Sequence, residues 1–356
     1  CRKHLDELRA QFPKDPVLAN ARLKPTVPAM LKAVASKSAT LTVGPGGRFR
    51  TLAEAIEAVK QPNATIEVRA GRTPYADGAS IGGESAQGLT IRGTGERNPR
   101  FTGPATILKI YPDTKDVWVG GLSLQGAEIG LHIYERCSVT LRDIFARDLG
   151  VALKVHADTT LDIANSVLKI NALNAATIES TLVLCGDTSL DYSKLRHCVL
   201  VGKDIGILNS QLTDCLILGS VRLRDKAVLD HVTLAGTVTI ERDIRGARIT
   251  DSILPDMEFQ DIDVRSWNRR KKDQLRDEAL NVTVTNSLLY SHRGDLPQIL
   301  CKGEALLRGK APFRDPARHD FRLPDGSPLA TKGAKGTPLG CRFTDDLLKL
   351  LRYVPR

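Results

Sequence analysis

A five-residue pattern that returns along the chain constrains the fold more than any other feature. Each copy reads polar, polar, small, apolar, apolar, and the copies lie between residues 117 and 289. They stand at residues 164–168, 178–182, 196–200, 213–217, 230–234, 250–254 and 285–289, with a partial copy at 142–144. With the second residue of each copy as a marker, the steps from Asn165 to Asp251 are 14, 18, 17, 17 and 20 residues.

This period predicts a solenoid of β-strands. The segment is rich in Val, Ile, Leu and Thr, and apolar and polar residues alternate along it, which is typical of strands that are buried on one face. A repeat near 20 residues corresponds to one coil. One coil cannot bury its apolar side alone, so successive coils stack and share a continuous core. We therefore predict an all-β protein with the architecture of a parallel β-helix.

Composition agrees with a single solenoid and restricts the kinds of partner that it can bind. In a chain of 356 residues, 42% apolar content suffices for a continuous core, and no run of about 18 apolar residues is present to span a membrane. The net charge of +10 favours an anionic partner. Aromatic residues make up only 4% of the chain, which argues against a sugar-stacking groove and against a specific nucleic-acid platform, since both need aromatic faces.

The seven cysteines predict neither a metal centre nor a disulfide framework. None forms a CxxC pair, so the zinc interpretation is poor. Cys198 and Cys215 take the small position of the repeat, where Ser166, Ser180, Ser252 and Ser287 also stand, and we expect a buried column of small side chains. The marker residues, mostly Asp, Asn and His, are expected to satisfy turns rather than to bind a metal. No phosphate loop or nucleophile elbow occurs, so no cofactor is predicted.

Three regions are predicted. Residues 1–40 form a helical lead and linker, residues 41–330 the β-helix with an inserted basic segment at 265–280, and residues 331–356 a tail with a short amphipathic helix. Residues 1–23 resemble the last helix pair of a tetratricopeptide-like array. Because the chain begins at Cys1 without an initiator Met, we expect a processed protein or the end module of a longer bacterial signalling protein, cytoplasmic or tethered. A bacterial lipoprotein also begins at Cys, but no lipobox is visible to support that alternative.

The start of the β-helix carries a recognisable motif. Residues 41–52 read LTVGPGGRFRTL and lead through AEAIEAV to the strand-like TIEVRAG at 65–71. This motif resembles the N-terminal capping unit of pectinesterases and of the wider pectate-lyase-like superfamily. The resemblance implies a single-stranded, right-handed parallel β-helix whose N-terminal helix plugs the open end of the core. Residues 311–328 resemble the closing segment of bacterial proteins of this fold, which packs as an irregular cap near the last coil.

The resemblance extends to the fold and not to a catalytic residue. The Gln-Asp-Thr and Val-Asp-Phe-Ile-Phe-Gly phrases of pectinesterases do not occur, nor do the aspartate doublet and Gly-His-Gly of polygalacturonases. Esterase and hydrolase activities are therefore not expected.

One face carries a candidate ligand site. The segments LKIY (108–111), LHIY (131–134) and LKVH (153–156) are 23 and 22 residues apart, so they align on successive coils. Their apolar residues alternate inward, which leaves an outward column of cations with a column of rings beside it. The predicted ligand-binding residues are Lys109, Tyr111, His132, Tyr134, Arg147, Lys154 and His156. A solvated basic face is the alternative interpretation.

A second candidate surface is the inserted segment. It is basic and has helix-forming composition, with Trp267 as an anchor and Arg269, Arg270, Lys271 and Lys272 as charged contacts for a partner. The alternative is a solvated excursion whose own acidic residues balance its charge.

These observations predict a recognition module rather than an enzyme. We expect it to bind an anionic polysaccharide or a protein partner along its basic face. The alternative is a polysaccharide lyase acting on a uronic-acid polymer, with Lys154, His132 and Arg142 as candidate catalytic residues, because β-elimination needs a positioned base and a cation that neutralises the carboxylate. A structural spacer is a further alternative. The sequence does not fix the oligomeric state.

Overall fold

The computed structural model describes residues 40–103, 105–156, 158–240, 246–255, 257–259, 282–290, 307–309 and 312–354. The helical lead predicted before residue 40 and the inserted segment at 265–280 lie outside the described residues, so both stay predictions.

The described residues form 27 strands and two α-helices, α1 (Leu52–Glu57) and α2 (Asp345–Leu350). Short 3-10 turns lie at Glu84–Ala86, Pro316–Arg318, Pro328–Thr331, Ala334–Gly336 and Leu351–Tyr353. The strands are β1 (Thr40–Val43), β2 (Thr65–Arg69), β3 (Ala79–Ile81), β4 (Thr90–Thr94), β5 (Arg100–Thr102), β6 (Thr106–Ile110), β7 (Val117–Gln125), β8 (Ile129–Ile133), β9 (Ser138–Arg147), β10 (Val151–Val155), β11 (Thr160–Ala164), β12 (Val167–Asn174), β13 (Ala176–Glu179), β14 (Leu182–Asp191), β15 (Lys194–Arg196), β16 (Val199–Leu208), β17 (Gln211–Thr213), β18 (Leu216–Leu223), β19 (Val228–Asp230), β20 (Thr233–Ala235), β21 (Val238–Ile240), β22 (Ala247–Thr250), β23 (Ile253–Pro255), β24 (Met257–Phe259), β25 (Val282–Thr285), β26 (Leu288–Tyr290) and β27 (Leu307–Gly309).

The strands stack into three parallel ladders, one strand or strand half per coil in each. The first ladder runs from β2 through β4, the first halves of β7 and β9, and then β11, β13, β15, β17, β19, β22 and β25. The second follows it in each coil and ends at β26 and β27. The third contains β3, β6, β8 and β10. The expected parallel β-helix is confirmed, and its right-handedness remains what the resemblance implies.

Helix α1 forms the N-terminal cap that the motif implies. Thr51 caps it: its Oγ1 accepts from the backbone N–H of Glu54, and the Glu54 carboxylate accepts from the backbone N–H of Thr51. This reciprocal pair satisfies donors that would otherwise be unpaired at the helix start. Leu52 and Ala55 are buried in the same apolar cluster as the coils, so the helix covers an apolar cross-section of the solenoid.

The markers lie at the turn between the first and second ladders. Asp143, Asn165, Ser180, His197, Asp214, His231, Asp251 and Asn286 all have φ between 48° and 53°. Asn and Asp tolerate this left-handed conformation better than most residues, which explains why the repeat selects them. The prediction was wrong at one coil, because Glu179 pairs with Ala164 and the turn residue is Ser180. Thr181, not Ser180, therefore takes the small inward position.

The small inward position forms a buried hydrogen-bonded ladder. The Oγ atoms of Ser166, Thr181, Ser252 and Ser287 and the Sγ atoms of Cys198 and Cys215 each donate to the carbonyl oxygen two residues earlier. In several coils the same hydroxyl also accepts a backbone N–H from the preceding coil, as in Val232 N–H to Ser252 Oγ at 3.0 Å. Burial raises the pKa of the Cys215 thiol, so this cysteine is a packing residue rather than a nucleophile.

Replacing Ser252 with alanine is expected to lower the free energy of unfolding by about 1–2 kcal/mol, because the buried N–H of Val232 loses its acceptor. Urea denaturation followed by circular dichroism measures the change. Ser252→Cys is the matched control, since thiols already occupy this position at Cys198 and Cys215, and it should cost less than the alanine. Equal losses for the two variants would mean that the hydrogen bond contributes little.

Residues 312–354, which we call the C-terminal strap, cover the outer face of the second ladder. The repeat places two apolar residues in succession, so one faces the core and the other faces outward. The outward residues Val167, Leu182, Val199 and Leu216 are buried in one cluster with Phe321, Cys341, Leu347, Leu350 and Val354 of the strap. The closing segment packs near the last described coils as expected, since Phe313 and Leu323 lie in one apolar cluster with Ile253, Leu288 and Tyr290. The rest of the strap continues along the side of earlier coils, and the predicted boundary at residue 330 falls inside the strap.

Candidate functional site

The three aligned segments meet on the third ladder as predicted. Leu108, Leu131 and Leu153 pair in register on β6, β8 and β10 and are buried. The next residue of each strand therefore faces outward, and the pairing Lys109–His132–Lys154 follows. Two residues further along the same face stand Tyr111, Tyr134 and His156. We call the six outward residues the array: Lys109, Tyr111, His132, Tyr134, Lys154 and His156.

The rings of the array stack on one another across three coils. The ring centroids of Tyr111 and Tyr134 are 5.7 Å apart, and those of Tyr134 and His156 are 5.3 Å apart with an interplanar angle of 8°. His132 stacks on Tyr134 at 4.2 Å. Tyr111 is 44% exposed. Although aromatics are rare in the chain, the coil spacing concentrates four rings in one place and leaves Tyr111 accessible.

The edge of the array near the N-terminal cap is open because Gly82 has no side chain. A Cβ at Gly82 would lie 2.9 Å from the Cβ of Tyr111, so the tyrosine ring needs a glycine beneath it. Ser80 pairs with Lys109 in the same register, which makes the segment ASIG (79–82) a fourth copy of the aligned pattern. This fourth copy was not recognised in the sequence, because its strand has only three residues and most side chains of the segment are small.

His132 and His156 form a hydrogen-bonded imidazole pair. Their Nε2 atoms are 2.9 Å apart, so one donates and the other accepts. Burial, followed by the positive charges of Lys154, His156 and Lys109, lowers the pKa of His132 below its ordinary value. His132 is therefore neutral at pH 7.

Neither lysine of the array has a carboxylate partner in the part of the chain that the structure describes. Lys154 is exposed and Lys109 is half-buried, and no member of the array is acidic. The nearby turn balances its own charge, because Arg136 Nε and a terminal guanidinium nitrogen donate to Asp113 at 2.8 and 2.9 Å. The array is thus a compact cationic surface next to stacked rings.

Two predicted residues lie elsewhere. Arg142 belongs to the first ladder, where it pairs with Gly120 and Ala164, and its guanidinium contacts the Asp162 carboxylate. The structure therefore does not bring the three candidate catalytic residues Lys154, His132 and Arg142 together. Arg147 ends β9 opposite Gln125, on the second ladder, and it is exposed. The partner-binding residues Trp267, Arg269, Arg270, Lys271 and Lys272 lie outside the described residues.

A second titratable cluster lies where the strap crosses the turns between the first and second ladders. It consists of Asp230, His231 and Asp251, and one possible metal-ligand atom of each lies within 4.8 Å of those of the other two. His231 Nδ1 lies 3.0 Å from Asp230 Oδ1, and its Nε2 lies 3.4 Å from Thr337 Oγ1 of the strap. Asp251 Oδ1 accepts from the backbone N–H of Ala334 at 2.7 Å. These side chains bind the strap to the coils, which is sufficient to explain their positions.

A cleft of about 320 Å³ lies beside the N-terminal cap. Polar backbone and the side chains of Arg50, Thr51, Arg72, Tyr75 and Asp77 line it. Tyr75 Oη donates to the Arg69 carbonyl oxygen at 2.6 Å and is thereby fixed. The cleft is shallow and has no base next to a nucleophile, so it carries less chemistry than the array.

Comparisons with known proteins concern the fold. No protein-family model and no curated protein matches the chain. Among solved structures, it is similar to a pectin methylesterase in complex with hexasaccharide VII (10% identity, 76% of this chain and 94% of that chain, TM-score 0.38) and to pectin methylesterase PemA from Erwinia chrysanthemi (10%, 76% and 93%, 0.38). It is also similar to tailspike protein gp49 from Acinetobacter baumannii bacteriophage Fri1, a capsular polysaccharide depolymerase (10%, 84% and 65%, 0.46). No residue role is carried over from them.

Within the described residues, no helix has the length and apolar character that crossing a membrane requires.

Proposed function

We propose that this protein is a recognition module that binds an anionic polysaccharide along the array. The observation that carries this proposal is the combination of two lysines without carboxylate partners and a continuous ring stack on three adjacent coils. Ammonium groups attract carboxylates or sulfates, and the exposed face of a tyrosine ring suits the apolar face of a sugar.

The rigidity of the solenoid supports binding of an extended polymer. Stacked coils are about 4.8 Å apart, so charges on successive coils form a fixed row that one chain of anionic sugars can follow. Because backbone hydrogen bonds between coils already hold the row, little conformational entropy is lost on binding. Repulsion between the lysines is relieved when an anion lies between them.

Substituting the exposed members of the array tests this proposal. We expect Lys154→Ser and Tyr111→Ala each to weaken binding of a heparin or oligogalacturonate hexasaccharide by about three- to tenfold, which corresponds to a loss of about 0.7–1.4 kcal/mol. Isothermal titration calorimetry gives the dissociation constant, and binding of the unaltered protein should weaken as salt is raised.

Matched controls are available elsewhere on the surface. Lys203 is an exposed lysine on β16, and Tyr192 is 63% exposed. Lys203→Ser and Tyr192→Ala should leave affinity unchanged. If the controls lose as much affinity as the array variants, binding is a property of net charge rather than of the array. If neither sugar binds, a protein partner of the segment 265–280 becomes the better candidate. If no such partner binds either, the result would favour a structural spacer.

A polysaccharide lyase is the second candidate, favoured by one observation. His132 is kept neutral between two lysines, and a neutral imidazole beside cations is the arrangement that proton abstraction next to a carboxylate requires. The same incubations, followed by ultraviolet absorbance of unsaturated uronide, distinguish the two functions. Product that disappears in His132→Ala would establish a lyase, whereas binding without product supports the recognition module.

A further inference from the structure

The imidazole pair of His132 and His156 has room for one added proton but not for two. While the Nε2 atoms are 2.9 Å apart, one of them must accept, so at most one of the rings can be fully protonated. A second proton would place two N–H donors against each other and break the hydrogen bond. The charges around the pair therefore determine whether it takes up that one proton.

Among the described residues, the charged groups that act on His132 are positive. Lys109 stands beside it on β6 and Lys154 on β10, and the phenol ring of Tyr134 stacks on its imidazole. In the protein without ligand, these positive charges oppose protonation of His132, which agrees with its lowered pKa. In the adjoining turn, the carboxylate of Asp113 is bound to Arg136.

We propose that the array takes up a proton when a polyanion binds, so that its affinity for anionic polysaccharide rises as pH falls. This inference rests on the proposed binding function and adds its regulation. An anion placed over Lys109 and Lys154 replaces repulsion by attraction at His132, which favours the singly protonated pair, the state with the one added proton that the hydrogen bond allows. The positive charge of that pair then adds to the attraction between the lysines and the carboxylate or sulfate.

The sign and the pH window follow from linkage. A bound anion raises the pKa of His132 relative to the free protein, so the complex holds more protons than the free protein between the two values. Affinity therefore increases as pH falls through the region around and below the ordinary imidazole pKa of about 6.5. Carboxylates of the sugar titrate near pH 4, so the charge of the ligand does not change in this region.

The test is calorimetric titration of a heparin hexasaccharide at pH 7.5, 6.5 and 5.5 and constant ionic strength, in two buffers of different ionisation enthalpy. The buffer dependence of the observed heat counts the protons taken up. We expect about one proton per site and an affinity about tenfold higher at pH 5.5 than at pH 7.5. In His132→Gln, which cannot titrate, the ratio of the two affinities should fall close to one.

Two further variants make the result specific. His156→Gln removes the hydrogen-bond partner of His132 and should reduce the ratio, so the test does not depend on one variant folding well. His319→Asn removes a histidine of the strap, far from the array in sequence and in a left-handed position that asparagine tolerates, and it should retain the full ratio.

The outcomes separate the two proposals. Equal affinity at both pH values without proton uptake overturns the linkage and leaves the binding function intact. Absence of binding at every pH overturns both. A pH dependence that survives in both His132→Gln and His156→Gln would assign it to the general charge of the protein and overturn the inference.

Discussion

Replacing Gly219 with alanine is expected to lower the free energy of unfolding by at least about 3 kcal/mol, more than a typical surface substitution. Gly202, Gly219 and Gly236 stack in register where the second ladder turns toward the third. A Cβ at Gly219 would lie 1.7 Å from the carbonyl oxygen of Gly202, and a Cβ at Gly236 would lie 1.9 Å from that of Gly219. Because the obstructing atoms are backbone, no side-chain rotation relieves the overlap.

Two matched variants divide this effect into its parts. Gly219 has φ +137°, which alanine rarely adopts, whereas Gly236 does not have a positive φ, so Gly236→Ala measures the overlap alone. Gly126 has φ +67° with no atom within 4 Å of an added Cβ, so Gly126→Ala measures the backbone cost alone, about 1 kcal/mol. Urea denaturation of the three variants gives the comparison. A Gly219→Ala protein no less stable than Gly126→Ala would show that the coils can separate cheaply.

The stacked glycines follow the period of the coils, but they were not recognised in the sequence. The three glycines are 17 residues apart, the same step as the markers, so the sequence did contain the pattern. The marker pattern itself predicted the coils, the turns and the buried small column. It failed at Glu179 because glutamate, like the markers, is polar and precedes a serine. Only the strand pairing Ala164–Glu179 reveals that the turn residue is Ser180.

The site was predictable to the level of a column and no further. Alternation within the segments at 108–111, 131–134 and 153–156 determines that Lys109, His132 and Lys154 face outward together. It does not determine ring orientation, so neither the ring stack nor the imidazole pair follows from the sequence. Arg142 was grouped with them because it was expected on a neighbouring strand. A coil of this size carries nearby residues onto different faces, and Asp162 on the next coil binds its guanidinium.

The strap was the least predictable element, because its place depends on contacts between residues more than 100 positions apart. Asp214 lies at a turn of the coils with no exposed side-chain surface. Its carboxylate accepts from Nε of Arg342 at 2.5 Å and from a second guanidinium nitrogen. The Cys341 thiol donates to the Asp214 carbonyl oxygen at 3.2 Å. These contacts fix the strap over the outward apolar residues, which would otherwise be exposed.

Replacing Arg342 with alanine is therefore expected to lower the free energy of unfolding by about 3 kcal/mol, because it leaves a buried carboxylate without its main partner. The value is at the lower end for buried pairs, since the Arg342 side chain is 47% exposed and water can reach part of the gap. Urea denaturation measures the loss, and limited proteolysis should cut the strap earlier than in the unaltered protein, because the pair joins the strap to the coils.

The chain offers a control with the same geometry in a different environment. Arg322 also donates two hydrogen bonds to one carboxylate, Asp320, both at 2.7 Å, but this pair lies within the strap and is accessible to solvent. Arg322→Ala should cost less than about 1 kcal/mol. If burial of Asp214 is the cause, Asp214→Asn in the Arg342→Ala background should recover part of the lost stability, since it removes the unpaired charge and asparagine tolerates the left-handed turn. Equal costs for Arg342→Ala and Arg322→Ala, without recovery in the double variant, would mean that apolar packing alone holds the strap.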